Sequence, residues 1–277
     1  MLSKFPALAA TLSHMHFDIQ EKLHYALSGP SASDPKVEQR WKDEADAGKP
    51  LIITAGLQSA ATTWMYNVIL NALEQRGRSV FAAYAEDLGA EQLSEFESHD
   101  ALLIKAHILK PGAVSALMAA RGRLLIPIRD PRDSVCSLME RFSFTFDKAL
   151  NDVGHAATNI LDIQTDLPHS LFRYEESFVN ARAGLQRVAK AAGLAFTDEE
   201  AEQLREWHDA KHVKNRIALQ FADSGRGKVE CDPKTQWHRN HVGDGRVGKF
   251  RQFFDAGQQR LMALKFRTFL CRFGYEH

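Results

Sequence analysis

The amino-acid sequence predicts one three-layer α/β domain, a parallel sheet with helices on both faces. Three observations lead there. From residue 51 onward, short apolar runs alternate with longer stretches of helical periodicity. The runs are continuously apolar, as strands buried on both faces are, and helices between strands supply the crossovers a parallel sheet needs. At 277 residues and 44% hydrophobic, the chain is long enough to bury a large core.

Residues 1–47 look separate from the rest. The stretch 17–27 predicts a short helix, 28–34 (SGPSASD) a loop, and 37–47 a charged helix stopped by Gly48 and Pro50. We therefore expect an N-terminal helical extension over 1–47 and the main domain over 48–277. Leu51–Ala55 (LIITA) predicts the first buried strand and 62–75 its following helix. Strands are expected at 80–83, 102–106, 124–128 and 171–174, with Pro127 placing the fourth near a strand end or an edge. Helices are expected at 111–120, 131–142, 145–164, 176–192, 198–220 and 256–272, Pro131 occupying a favoured first-turn position.

Composition excludes several classes. With 35 basic and 35 acidic side chains, a broad nucleic-acid surface is not expected, although one local anion pocket is compatible with zero net charge. Three distant cysteines, Cys136, Cys231 and Cys271, support neither a disulfide framework nor a zinc knuckle. No apolar run reaches the roughly 20 residues a membrane span requires. The apolar stretch 5–12 contains Pro6 and makes a weak secretion signal, so a cytoplasmic protein is expected.

Between the first strand and its helix lies Thr54-Ala-Gly-Leu-Gln-Ser-Ala-Ala-Thr-Thr-Trp64. A loop there offers backbone N–H groups and a positive helix terminus to an anion. It is not a nucleoside-triphosphate loop: after Gly56 the second glycine and the lysine of G-x-x-x-x-G-K-[ST] are missing. The same residues also read as a polar connection capped by Thr62. Further on, Arg129 follows a strand and Ser137 lies eight positions later on a helix, an Arg fork and a hydroxyl suited to a phosphate monoester. The alternative reading is an Arg/Asp capping network.

These segments resemble the sulfotransferases that use 3′-phosphoadenosine 5′-phosphosulfate (PAPS). Gln58-Ser-Ala-Ala-Thr-Thr-Trp64 is similar to the family's P-K-S-G-T-T-W loop, and Arg129 with Ser137 to its 3′-phosphate motif. Lys105-Ala-His107 resembles K-T-H, Leu171-Phe-Arg-Tyr-Glu-Glu176 resembles L-R-Y-E-D, and Gly245-Arg-Val-Gly-Lys-Phe250 resembles part of the closing loop. Phe273-Gly-Tyr275 fits the last helix, so the ordered set spans about residues 51–275. The resemblance implies a P-loop-like sulfotransferase fold and sulfuryl transfer from PAPS to a hydroxyl or amine, without a metal. It assigns Ser59, Ala60, Ala61, Thr62 and Thr63 to the 5′-phosphosulfate and Trp64 to adenine, a stack worth ~1–3 kcal/mol in nucleic-acid systems. Arg129 and Ser137 would hold the 3′-phosphate, Tyr174 the adenosine, and Arg246, Gly248 and Lys249 the closing loop. His107 is the expected general base and Lys105 an accompanying cation.

Two departures stand out. The family's loop lysine corresponds to Ser59, and its serine and glycine to Ala60 and Ala61. Replacement cations are sought in Lys105, Arg246 and Lys249. Because alanine resists positive φ, we expect a different loop path or purely right-handed conformations. In the closing loop, R-K-G becomes Gly243-Asp-Gly245, leaving Arg239, Arg246 or Arg251 to supply charge.

His208 and His212, four apart on the predicted helix 198–220, lack the H-E-x-x-H pattern and are read as solvent-facing. His14/His16 and His238/His241 show no metal pattern. Glu175 and Glu176 are not assigned catalysis. The acceptor, a small molecule, glycan or lipid, is expected among loops 84–100, 142–160 and 222–240. Two other functions fit the sequence: a non-catalytic binder of PAPS or its desulfated product PAP, and a small-molecule kinase with an eroded loop.

Overall fold

The computed structural model describes residues 35–179, 181–222 and 231–275. The expected helix 17–27, the loop after it and His14/His16 lie outside them. Five strands form one sheet: β1 (Leu51–Ala55), β2 (Val80–Tyr84), β3 (Ala101–Ala106), β4 (Arg123–Ile128) and β5 (Ser170–Arg173). Their order is β2-β3-β1-β4-β5, every pair parallel. In register, Thr54 of β1 faces Lys105 of β3, so the carboxyl ends of the central strands lie together.

Strand residues alternate between two cores, as a period of two requires. Leu51, Ile53, Leu102, Ile104, Leu124 and Ile126 join one cluster. Ile52, Leu103, Leu125 and Phe172 join the other. The first face packs against α1 (Pro35–Asp46), α3 (Ala90–Ser98), α4 (Pro111–Ala119), α5 (Pro131–Phe142) and α6 (Phe146–Asp166). The second is covered by α2 (Thr62–Gln75), α7 (Arg182–Ala191) and α8 (Asp198–Trp207). Three layers result. In α1, Trp41 is buried and its ring lies 5.6 Å from that of Phe96.

Several boundaries differ from the sequence reading. The stretch 198–220 is two helices, α8 and α9 (Ala210–Gln220), because the Asp209 carboxylate accepts from Lys211 N (2.8 Å) and starts a new helix. His208 at that break is only 3% exposed, which overturns its solvent-facing assignment. Helix 176–192 begins only at Arg182, after a 3₁₀ turn over Tyr174–Glu176. The C-terminal helix is two, α11 (Ala256–Lys265) and α12 (Arg267–Phe273), preceded by the single turn α10 (Phe250–Phe253). The expected loop 84–100 contains α3, started by the Gln92 side chain accepting from Gly89 N (3.0 Å). Pro127 is the penultimate residue of an inner strand, where its carbonyl accepts from Leu57 N (3.2 Å). Gly56 passes so close that a Cβ there would lie 2.3 Å from the Pro127 carbonyl oxygen. Among the described residues no helix is long and apolar enough to cross a membrane.

Candidate active site

The loop after β1 turns tightly through Ser59 (φ 62°) and Ala61 (φ 67°) into α2. The expectation of purely right-handed conformations is therefore overturned. Two non-glycine residues hold left-handed backbone, at a cost of ~1–2 kcal/mol each. Ala60 N–H donates to Leu57 O (3.3 Å) and Thr62 Oγ1 to the same carbonyl (3.2 Å), which pins the turn. Helix α2 starts at Ala61 with no side-chain cap. Its first amides, like those of any helix, have no internal acceptor. Strain and an uncapped terminus together are what an anion-binding loop requires.

That loop faces a cavity of about 580 Å³. Ser59, Ala61, Thr62, Thr63 and Trp64 line it, whereas Ala60 is fully buried behind. Trp64 packs edge-on to Phe178 (5.7 Å), and its indole N–H is buried without a partner. Residues from β3, β4 and α5 complete the wall: Lys105, His107, Arg129 and Ser137.

Arg129 is 5% exposed. Its guanidinium donates to Ser59 O (3.3 Å) and to the Arg246 carbonyl, lies 3.5 Å from Asp133 and stacks over Tyr174 (4.6 Å). Its buried Nε has no partner. Asp133 accepts from Gly248 N (2.6 Å) and Phe250 N (3.0 Å), and Tyr174 O–H donates to Gly245 O (3.3 Å). These bonds dock residues 245–250 over the nucleotide-motif residues. The capping network weighed from sequence is also present, one residue further on. Asp130 caps α5 through Arg132 N (2.9 Å) and binds the Arg132 guanidinium (2.7 Å). Glu175 ties Asp130 N (3.0 Å) to the Tyr275 hydroxyl (2.8 Å).

His107 Nδ1 donates to Gly56 O (2.7 Å), since a carbonyl only accepts. The other ring nitrogen, Nε2, therefore carries the lone pair. Burial, then the Lys105 and Arg141 charges, lower the imidazole pKa to about 3. Burial and Arg141 lower Lys105 to about 8, and its ammonium lies over the Tyr84 ring (5.4 Å).

The candidate replacement cations separate sharply. Arg246 is bound to Asp244 (2.8 Å), and Lys249 to Asp244 (2.8 Å) and Glu140. Those contacts, Lys249 first, hold the Asp244 carboxyl well below its usual range. Lys105 makes no ion pair with a carboxylate among the described residues. Neither does Arg141, which the sequence reading missed. Its guanidinium donates to Ser59 Oγ (3.0 Å), Asn240 O (2.8 Å) and His238 Nε2 (3.1 Å). The available signal was spacing: Ser134, Ser137 and Arg141 share one face of α5, and Ser134 Oγ also reaches this loop at Gln58 O (2.8 Å).

The cavity is lined as well by Phe142, Phe144, Val213, Trp237, Val242, His208, His238 and His241. The expected loops 142–160 and 222–240 contribute to it, but 84–100 does not, because α3 is turned into the core through Leu93 and Phe96. His208 Nε2, His238 Nδ1 and His241 Nδ1 are buried without partners. Among the described residues no group of three or more metal-binding side chains occurs.

The doubly flanked parallel sheet, with its strained loop at the end of β1, has the sulfotransferase fold. No protein-family profile matches the sequence, and no curated protein does. Solved structures similar to it include mouse sulfotransferase SULT7A1 complexed with PAP, at 15% identity over 84% of this chain and 88% of that one, with a TM-score of 0.58. Retinol dehydratase in a complex with retinol and PAP matches at 14% identity over 80% and 82%, with a TM-score of 0.55. Retinol dehydratase with androsterone and inactive cofactor PAP matches at 13% identity over 84% and 85%, also with a TM-score of 0.55. At such identities the likeness is one of fold.

Proposed function

We propose that this chain transfers a sulfuryl group from PAPS to a hydroxyl or amine of a small-molecule, glycan or lipid acceptor. One observation carries the proposal: an uncapped helix terminus, Arg129 with Ser137, and Lys105 with His107 all face one cavity at the carboxyl ends of β1, β3 and β4. That is where ligands bind open parallel sheets. The cavity fits a polyanion, because the buried Lys105 and the partly buried Arg141 have no carboxylate partner among the described residues and the buried Arg129 Nε lacks an acceptor there. PAPS supplies an activated sulfuryl group and a phosphate leaving group.

The residues of the chain then bind, orient and move a proton. The amides of 61–63 take the 5′ end, Arg129 and Ser137 the 3′-phosphate, Trp64 and Tyr174 the adenosine. Residues 245–250 close over it through Asp133, with Gly248 and Lys249 in that strap. His107 Nε2 takes the acceptor proton, since Nδ1 is held by Gly56. Burial is the first cause of its low pKa and the Lys105 and Arg141 charges the next, and a bound polyanion offsets those charges and raises it toward the range a base needs. Lys105 adds positive charge where the group moves. The acceptor lies against Phe142, Phe144 and Trp237 with His208, His238 and His241. Cys136 and Cys231, unpaired among the described residues, suit a reducing, cytoplasmic setting.

Calorimetric titration with adenosine 3′,5′-bisphosphate, with ATP and Arg129→Ala as controls, tests this reading. Binding that needs both the 3′-phosphate and Arg129 supports it. Equal affinity for ATP would favour the kinase alternative, and no binding would end the proposal.

A further inference from the structure

We propose that Arg141 is the cation that binds the 5′-phosphate of the nucleotide, replacing the lysine that the loop lacks at Ser59. The inference rests on the sulfotransferase reading and extends it to a residue outside every motif that suggested it. Arg141 Nη1 bonds Ser59 Oγ at 3.0 Å, so the positive charge reaches the place where a residue-59 side chain would carry one. Arg129 reaches the carbonyl of the same residue at 3.3 Å. Two guanidinium groups therefore converge on Ser59, yet among the described residues only Arg129 has a carboxylate beside it, Asp133 at 3.5 Å.

Among the described residues the hydrogen-bond partners of the Arg141 guanidinium are neutral: a hydroxyl, a carbonyl and an imidazole. Burial, and then the Arg129 charge, bring its pKa down to about 10, so it stays a cation at neutral pH. A partly buried cation among neutral acceptors and next to another cation is destabilising unless an anion arrives. The uncapped start of α2 adds positive potential to the same corner. Lys249 and Arg246 do not serve, because Asp244 and Glu140 neutralise them. Lys105 lies two residues before His107 on β3, on the acceptor side of the loop.

The partners also fix the direction of the fork. Asn240 O holds Nε, and His238 Nε2 accepts from Nη2. His238 then carries its proton on Nδ1. This clamp leaves Nη1 facing Ser59, where a phosphate oxygen displaces or shares the hydroxyl contact.

The experiment compares two nucleotides differing only in the 5′-phosphate, adenosine 3′,5′-bisphosphate and adenosine 3′-monophosphate, by calorimetry on the full chain. Arg141→Ala is expected to weaken the bisphosphate at least tenfold while changing the monophosphate less than twofold. Arg129→Ala weakens both. Arg141→Lys keeps the charge and retains most of the bisphosphate affinity, which separates lost charge from a disturbed 231–243 segment. Ser59→Lys in the Arg141→Ala background restores bisphosphate binding, but alone it weakens binding by placing two cations together. Equal loss of both nucleotides in Arg141→Ala, no loss of either, or no rescue by Ser59→Lys overturns the assignment and leaves the nucleotide site standing. A wild-type chain that binds neither nucleotide overturns the sulfotransferase reading itself, and this inference with it.

Discussion

His107 and Lys105 stand two residues apart at the end of β3, and their surroundings push both toward the neutral form. For His107 the consequence is a defined tautomer, with Nδ1 committed to Gly56 and Nε2 open to a proton. Replacing His107 by Ala is expected to lower sulfuryl transfer by ~10²–10⁴-fold, the usual contribution of a positioned base. Affinity for adenosine 3′,5′-bisphosphate should stay nearly unchanged. Single-turnover rates with any acceptor turned over from a panel of phenols, alcohols and amines, beside calorimetry, make the comparison. Full activity in the variant would remove His107 from the mechanism. In the sequence the resemblance of Lys105-Ala-His107 to a K-T-H segment pointed to these two residues, which a strand end presents as i and i+2 on one face. It did not point to Arg141, whose partner Ser59 is 82 residues away.

At the scale of elements, the loop between β1 and α2 keeps a left-handed turn that its alanine opposes. Ala61→Gly removes the Cβ at φ 67° and is expected to stabilise the protein by ~0.5–1 kcal/mol, read as a higher denaturant midpoint. A lower midpoint would mean that the Ala61 methyl packs more than it strains. On the opposite side of the sheet, α1 is held by Trp41, 2% exposed against Phe96 and the core. Trp41→Ala should cost ~3–5 kcal/mol. A melting temperature unchanged by that substitution would show that α1 contributes nothing to the domain. Helix breaks were the least legible elements. The polar, helix-prone run 198–220 carries its interruption in a single Asp209 cap, with His208 buried beside it at the break.

The whole molecule buries several neutral imidazoles, and this sets its response to acid. Burial lowers His107 and His208 to about 3, and burial with Arg141 lowers His238 to about 4. The unfolded chain binds protons at these positions below about pH 6.5, while the folded chain does not. Stability therefore rises with pH across that window and falls on acidification, by about 2 kcal/mol for each such histidine at pH 5. We expect the urea midpoint to drop between pH 7 and pH 5, and to drop less for a His208→Phe variant. Equal midpoints at the two pH values would contradict neutral burial. A bound bisphosphate should oppose the loss, because its negative charge favours the protonated rings beside it.

By itself the sequence determined the five strand positions, the two-sided burial of the sheet and the order of the nucleotide-motif segments. Apolar runs, their spacing and turn residues are local properties, written in consecutive residues. Tertiary structure alone decided which cations remain unpaired. Arg246 and Lys249, candidates in the linear chain, meet Asp244, and Lys249 also meets Glu140, 109 residues away, while among the described residues Arg141 meets only neutral partners. It also decided that a strained left-handed loop is held in place, through Leu57, Gln58 and Arg129. Charge pairing and tolerance of strain depend on what distant segments bring to the same point, and neither is encoded in any one stretch of the chain.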